Sequence, residues 1–157
     1  MRLVAIKFAG YPAGQTDFNA IESAAPLADR AALQNVLNRI AAGIISPASG
    51  QFTSLIIVGH SDRQDLATMS CDERRKSEAD AARSRAVSAW EWTKTQVNGR
   101  LAVAGRTLTA WWDEDPSLTW GLVYAGAGML ERELPANEED RKLNRRVLFL
   151  VSEFPHT

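Results

Sequence analysis

The sequence predicts one α/β domain, a sandwich of helices on a mostly buried sheet, in the order β-α-β-α-β-β. Three observations carry this. Leu55-Ile56-Ile57-Val58 is a short continuous apolar run between polar residues. Leu33, Val36, Leu37, Ile40 and Ala41 repeat at helical spacing. A second apolar run, Val147 to Val151, stands close to the end of the sequence.

The elements follow in order. Between Leu3 and Phe8, Val4, Ile6 and Phe8 alternate onto one face, as in a half-buried strand. A loop rich in Gly, Pro and small polar residues runs from Gly10 to Ser23. The helix around Leu33 to Ala41 has Asp29 or Ser23 as its cap and Gly43 as its stop. Ser46 to Gly50 reads as a turn. The run Leu55 to Val58 has the pattern of a central parallel strand buried on both faces. A long helix is predicted from Asp72 to Gln96, with a stripe of Ala79, Ala82, Ala86, Trp90 and Val97. Ser70 and Glu73 form its capping box, and Asn98-Gly99 ends it. Leu101 to Thr109 reads as a short strand, Trp111 to Pro116 as a loop, and Leu118 to Tyr124 as a strand broken at Ala125-Gly126-Ala127-Gly128. Glu138 to Leu143 reads as a helical turn before the final strand.

Composition narrows the function classes. The 157 residues are 45% hydrophobic and 24% charged, which excludes extended disorder and collagen. A net charge of −1 argues against a dedicated nucleic-acid binder. The lone Cys71 leaves no intramolecular disulfide. No apolar run reaches the ~20 residues of a membrane helix, so no membrane insertion is expected. The apolar start is short and interrupted by Lys7, unlike a signal peptide; the expectation is a cytosolic protein, or a targeting segment outside this sequence.

The strongest local feature is Gly59-His60-Ser61-Asp62, at the carboxyl end of the apolar strand, where open α/β sheets border their ligand crevice. Asp62 there can accept a ligand ammonium or an arginine, or else cap a turn. Arg85 sits one residue off the stripe of the long helix, flanking the buried face, where a guanidinium can clamp a carboxylate. Adjacent His60, Ser61 and Asp62 cannot form a catalytic relay. His60, Asp62, Cys71 and His156 lack zinc-ligand spacing, so neither an enzyme, a metal nor a cofactor is expected. The Trp111-Trp112 pair predicts an exposed ring and hence a contact surface.

In this order the pieces resemble the OmpA C-terminal-like, peptidoglycan-binding domain. Gly59-His60-Ser61-Asp62 is similar to the family's Gly-His-Thr-Asp, and Arg85-Ala86 to the end of its Leu-Ser-x-x-Arg-Ala. Gly126-Ala127-Gly128 with the downstream Pro135 resembles its Gly-x-Gly and Pro, and Asn144-Arg145-Arg146-Val147 its Asn-Arg-Arg-Val. The resemblance spans residues 3–153 and implies one domain over 1–157: a mixed sheet of about four strands with helices on one face. It also implies a charged insertion at 63–77 and a Trp-rich one at 106–118.

The resemblance implies that Asp62 takes the ammonium and Arg85 the carboxylate of diaminopimelate in the peptidoglycan stem peptide. Gly59 and His60 would shape the same site, Arg145 would support it by pairing with Asp62, and Asn144 would fix the turn. Glu78 stands where the family has a ligand-binding Asn, and Ala81-Ala82 replaces its Leu-Ser. Two functions are therefore expected. One is a non-catalytic peptidoglycan-binding module of the cell envelope. The other is a structural protein of a secretion, phage-tail-like or injection assembly, cytoplasmic or particle-associated, that uses the fold for protein contacts.

Overall fold

The computed structural model describes residues 2–46, 51–63, 68–114, 118–126 and 134–155. Their elements are β1 (Arg2–Ala9), α1 (Phe18–Ala24), α2 (Leu27–Ile45), β2 (Gln51–His60), α3 (Cys71–Val103), α4 (Trp111–Glu114), β3 (Leu118–Gly126), α5 (Glu138–Asn144) and β4 (Arg146–Pro155). The strands form one mixed sheet in the order β1-β4-β2-β3. The β1–β4 and β4–β2 pairs are antiparallel and β2–β3 is parallel. The expected class, an α+β sandwich on a four-stranded mixed sheet, is the observed one.

Side-chain alternation divides the sheet into two unlike faces. Ile6, Phe8, Leu55, Ile57, Val147, Phe149 and Val151 point to the helices and share one core with Leu33, Leu37, Ile40, Ala86 and Trp90. Phe8, Phe18 and Phe149 meet mostly edge to face, with centroids 5.2–5.8 Å apart. The opposite face lies open: Ile56 is 38% exposed, Val123 46%, Phe154 40% and Leu3 69%. The central strand β2 is therefore buried on both faces only at its carboxyl end, where Ile57, Val58 and His60 are all covered, and it has an antiparallel partner as well as a parallel one. A continuous apolar run hides this, because Ile56 is as hydrophobic as its buried neighbours.

Several helix ends differ from expectation. The predicted 10–23 loop contains α1, capped by Asp17, whose carboxylate accepts from the Asn19 amide at 3.1 Å. Phe18 and Ile21 give it a buried side too short to stand out as a period. Pro26, not Asp29 or Ser23, precedes α2, and Gly43 lies buried inside that helix, which runs on so that Ile44 reaches the core. The turn expected at 46–50 falls beyond Ser46 outside the described residues.

The Ser70–Glu73 capping box of α3 is present in both directions. The helix continues through Asn98-Gly99 because Val97 and Leu101 extend its buried stripe. Asn98 accepts a hydrogen bond from the Trp111 indole at 2.7 Å, and Arg100 ties α3 to Gln34 and Asn38 of α2. The helix stops at Gly105, whose positive φ lets Arg106 N–H reach back to the Leu101 carbonyl at 2.8 Å. The strand expected from Leu101 to Thr109 is thus the last turn of α3 and a loop. Strand β3 runs two residues past its expected end, through Ala125 and Gly126; the rest of the predicted Gly break is outside the described residues.

Four of the five tryptophans are buried or half-buried, and Trp120 is 38% exposed. Trp111 is buried and Trp112 half-buried, against the expectation that one of the two rings is exposed. The single turn of α4 folds both back onto α3, where Trp90 stacks on Trp120 at 4.4 Å and the Lys94 ammonium lies 4.6 Å from the Trp112 ring centre. Aromatic contact and cation–π attraction replace solvent for these rings.

One contact sets the distance between α3 and the sheet. A Cβ at Gly59 would collide with the main-chain carbonyl of Ala82. Only glycine lets the carboxyl end of β2 touch the helix backbone. Gly59→Ala is expected to destabilise the fold by about 1–3 kcal/mol through overpacking. Urea unfolding would register this as a lower midpoint at unchanged m-value.

Candidate functional site

The close approach at Gly59 brings Arg85, one helical turn beyond Ala82, under the loop that leaves β2. Arg85 is only 2% exposed. Its Nη1 donates to the His60 carbonyl at 2.9 Å and its Nε to the Gln15 carbonyl at 3.1 Å. The guanidinium carbon lies 5.0 Å from the centre of the Tyr11 ring, itself buried. The guanidinium thus joins α3, the end of β2 and the loop after β1. Burial pulls the Arg85 pKa down to about 10, which leaves the group charged at neutral pH. Tyr11 and Asp62 oppose that effect and Arg145 adds to it. Two of the five N–H groups of Arg85 are spent on main-chain carbonyls, and three remain.

Asp62 lies two residues past β2 and is 6% exposed. Its Oδ1 accepts from Asn144 Nδ2 at 2.9 Å and its Oδ2 from Arg141 Nη1 at 2.9 Å. Arg145 Nη2 stands 3.7 Å from the same Oδ2. A buried carboxylate requires such compensation, because its unpaired desolvation would cost several kcal/mol. Arg145 also donates from Nη1 to Glu138 at 2.6 Å and to the Tyr11 carbonyl at 3.3 Å. That hydrogen bond, with the nearby positive charges of Arg145, Lys142 and Arg141, holds the Glu138 carboxyl below its ordinary range.

These groups border one cavity of about 280 Å³, lined by Ala13, Gly14, Thr16, Ser61, Asp62, Arg63, Ala81, Arg85, Arg141 and Arg145. Of the residues singled out from sequence, Asp62, Arg85 and Arg145 share this lining. Asn144 is buried behind it, on Asp62. Gly59 sets the helix approach, and His60 contributes its carbonyl to Arg85 while its ring is buried. Glu78 lines a separate concavity with Arg63, Arg75 and Tyr124. Cys71 is exposed at the start of α3. Among the described residues, no group of three or more His, Cys, Asp or Glu could hold a metal ion. None of the described helices is long and apolar enough to cross a membrane.

Sequence reasoning missed Arg141, Glu138 and Tyr11. A signal existed for the first: Arg141 and Arg145 are four apart, so a helix ending between them turns both toward one side.

The depressed Glu138 carboxyl gives a pH prediction. Its folded-state pKa is below its unfolded one, so the pair's contribution is present above the ordinary glutamate range and lost as pH falls through the folded value. The Glu138 carboxyl carbon should titrate by NMR below that range and return to it in Arg145→Gln. An ordinary midpoint in the unsubstituted protein would mean the pair does not form in solution.

No protein-family model and no curated protein matches the chain. Among solved structures, it is similar to a MotB-like protein from Desulfovibrio vulgaris, with 19% identity, a TM-score of 0.42, and coverage of 97% of this chain and 76% of that one. The periplasmic domain of Helicobacter pylori MotB gives 16% identity and a TM-score of 0.39, over 94% and 74% of the two chains. The cell wall anchor of the T6SS from Pseudomonas aeruginosa gives 17% and 0.37, over 95% and 80%.

Proposed function

We propose that the chain is a non-catalytic module that binds the diaminopimelate end of a peptidoglycan stem peptide. The observation that carries this is the common pocket of Asp62 and Arg85, which come from different elements of the fold. The free end of diaminopimelate carries an ammonium and a carboxylate on one carbon. Asp62 supplies a fixed negative charge for the first. Arg85 offers the second the N–H groups not spent on the Gln15 and His60 carbonyls, and a fixed positive charge. Asn144 holds Asp62 from behind, and Arg145 carries a positive charge beside both. No bond is made or broken in this role, and no cofactor is required. A protein with this ligand works in the cell envelope.

The open sheet face favours a second role beside the first. Leu3, Ile56, Val123 and Phe154 form an apolar surface on the side away from the helices. Such a face suits contact with another protein, as in an envelope or injection assembly.

Sedimentation with purified sacculi tests the ligand. The protein should co-sediment with sacculi containing diaminopimelate and not with sacculi carrying lysine there, which lacks the carboxylate. Asp62→Asn and Arg85→Ala should each weaken binding about 10- to 100-fold, the value of a charge-assisted hydrogen bond. Circular dichroism should report the wild-type fold for each variant. Equal binding by Arg85→Ala would rule the reading out.

A further inference from the structure

Without ligand, the ammonium position on Asp62 is already taken. Arg141 Nη1 lies 2.9 Å from Asp62 Oδ2 and lines the cavity, while the other oxygen is held by Asn144. The two contacts differ in kind. Asn144 is wholly buried and donates a neutral amide hydrogen. The Arg141 side chain is 30% exposed, carries a full positive charge, and belongs to the short helix α5. A buried carboxylate needs a counter-charge, and Arg141 brings one to hydrogen-bonding distance. Its bond to the Arg63 carbonyl, at 3.3 Å, helps hold it over the loop.

We propose that Arg141 is a specificity-determining residue of the pocket: an internal cation that competes with the ligand's ammonium for Asp62. This rests on the reading of Asp62 and Arg85 given above. With Arg141 on Asp62, the pocket presents the guanidinium of Arg85 and accepts a plain carboxylate. An amino-acid head that takes the position Arg141 holds on Asp62 Oδ2 moves that side chain outward, toward the solvent it already reaches. The residue therefore lowers affinity for a group bearing both charges and leaves that for a bare acid unharmed. Arg145 does not take this part, since it is nearly buried, 3.7 Å from Asp62, and bound to Glu138.

Two probes separate the contributions: meso-diaminopimelate, and pimelate, the same diacid without amines. Calorimetric titration of wild type, Arg141→Gln and Arg141→Lys compares them. Arg141→Gln should bind diaminopimelate about fivefold more tightly, the size of a partly exposed ion pair. The same variant should bind pimelate equally or more weakly, having lost a positive charge. Arg141→Lys, which keeps a cation on Asp62, should stay near wild type with both. Weaker or unchanged diaminopimelate binding by Arg141→Gln, or an equal gain for both probes, overturns the inference and leaves the assignment of Asp62 and Arg85 intact. Failure of all three proteins to bind diaminopimelate overturns that assignment and the inference with it.

Discussion

The whole site depends on one constraint: charged groups buried at the end of the sheet must find partners there. Arg85 and Asp62 are almost fully buried, and neither can remain ionised in such a place without hydrogen bonds and opposite charge. Arg85 takes main-chain carbonyls from two other segments and the face of Tyr11. Asp62 takes an amide and two guanidinium groups from the region around α5. Each solution ties together stretches far apart in sequence. Removing one member would leave a stranded charge, a greater loss than the pair's own net worth.

The strand order makes this convergence possible. Strand β4 lies between β1 and β2 and runs antiparallel to both, so its start meets their ends. Ala9 pairs with Arg146, Gly59 with Val147, and His60 with Gly126. Three exits and one entrance therefore share one edge of the molecule. The loop after β1 brings Tyr11 and Gln15, the exit of β2 brings Asp62, and the approach to β4 brings Arg141, Asn144 and Arg145. Gly10 N–H, donating to the Lys142 carbonyl at 3.1 Å, stitches the first of these to the last. The parallel β2–β3 pair requires a crossover, and α3 supplies it, with Arg85 on the face turned toward the sheet.

Much of this was legible in residue patterns, where burial and periodicity agree. The stripe Leu33 to Ala41, the Ser70–Glu73 box, and β4 each had a local physical cause. Asp62 and Arg85 stood out by position: one at the carboxyl end of a strand, the other beside a stripe. What stayed hidden depended on contacts distant in sequence. Gly43 and Asn98-Gly99 look like helix stops, yet burial of Ile44 and Leu101 carries the helices past them. Adjacent Trp111 and Trp112 look as if one ring must be exposed, yet Trp90 and Lys94 receive them on α3. Arg141 resembles any surface cation until the topology sets it against Asp62.

The paired state of the pocket also bears on how strongly it can bind. Six basic and six acidic residues fall between 59 and 85, and five of each between 131 and 146, so the local charge cancels as the net charge does. In the described part of the pocket this cancellation reaches individual atoms: both oxygens of Asp62 are engaged, and Arg145 is engaged with Glu138. Folding thus needs no ligand to neutralise the site. A ligand gains only the difference between its own contacts and those it displaces, as a hydrogen bond in water gains only the difference from solvation. The N–H groups of Arg85 not spent on main-chain carbonyls have no protein contact to give up, so a ligand there displaces water alone. On the reading proposed above, Asp62 and Arg85 both contribute affinity, and Asp62 adds discrimination: it admits a positive group and turns away a second negative one.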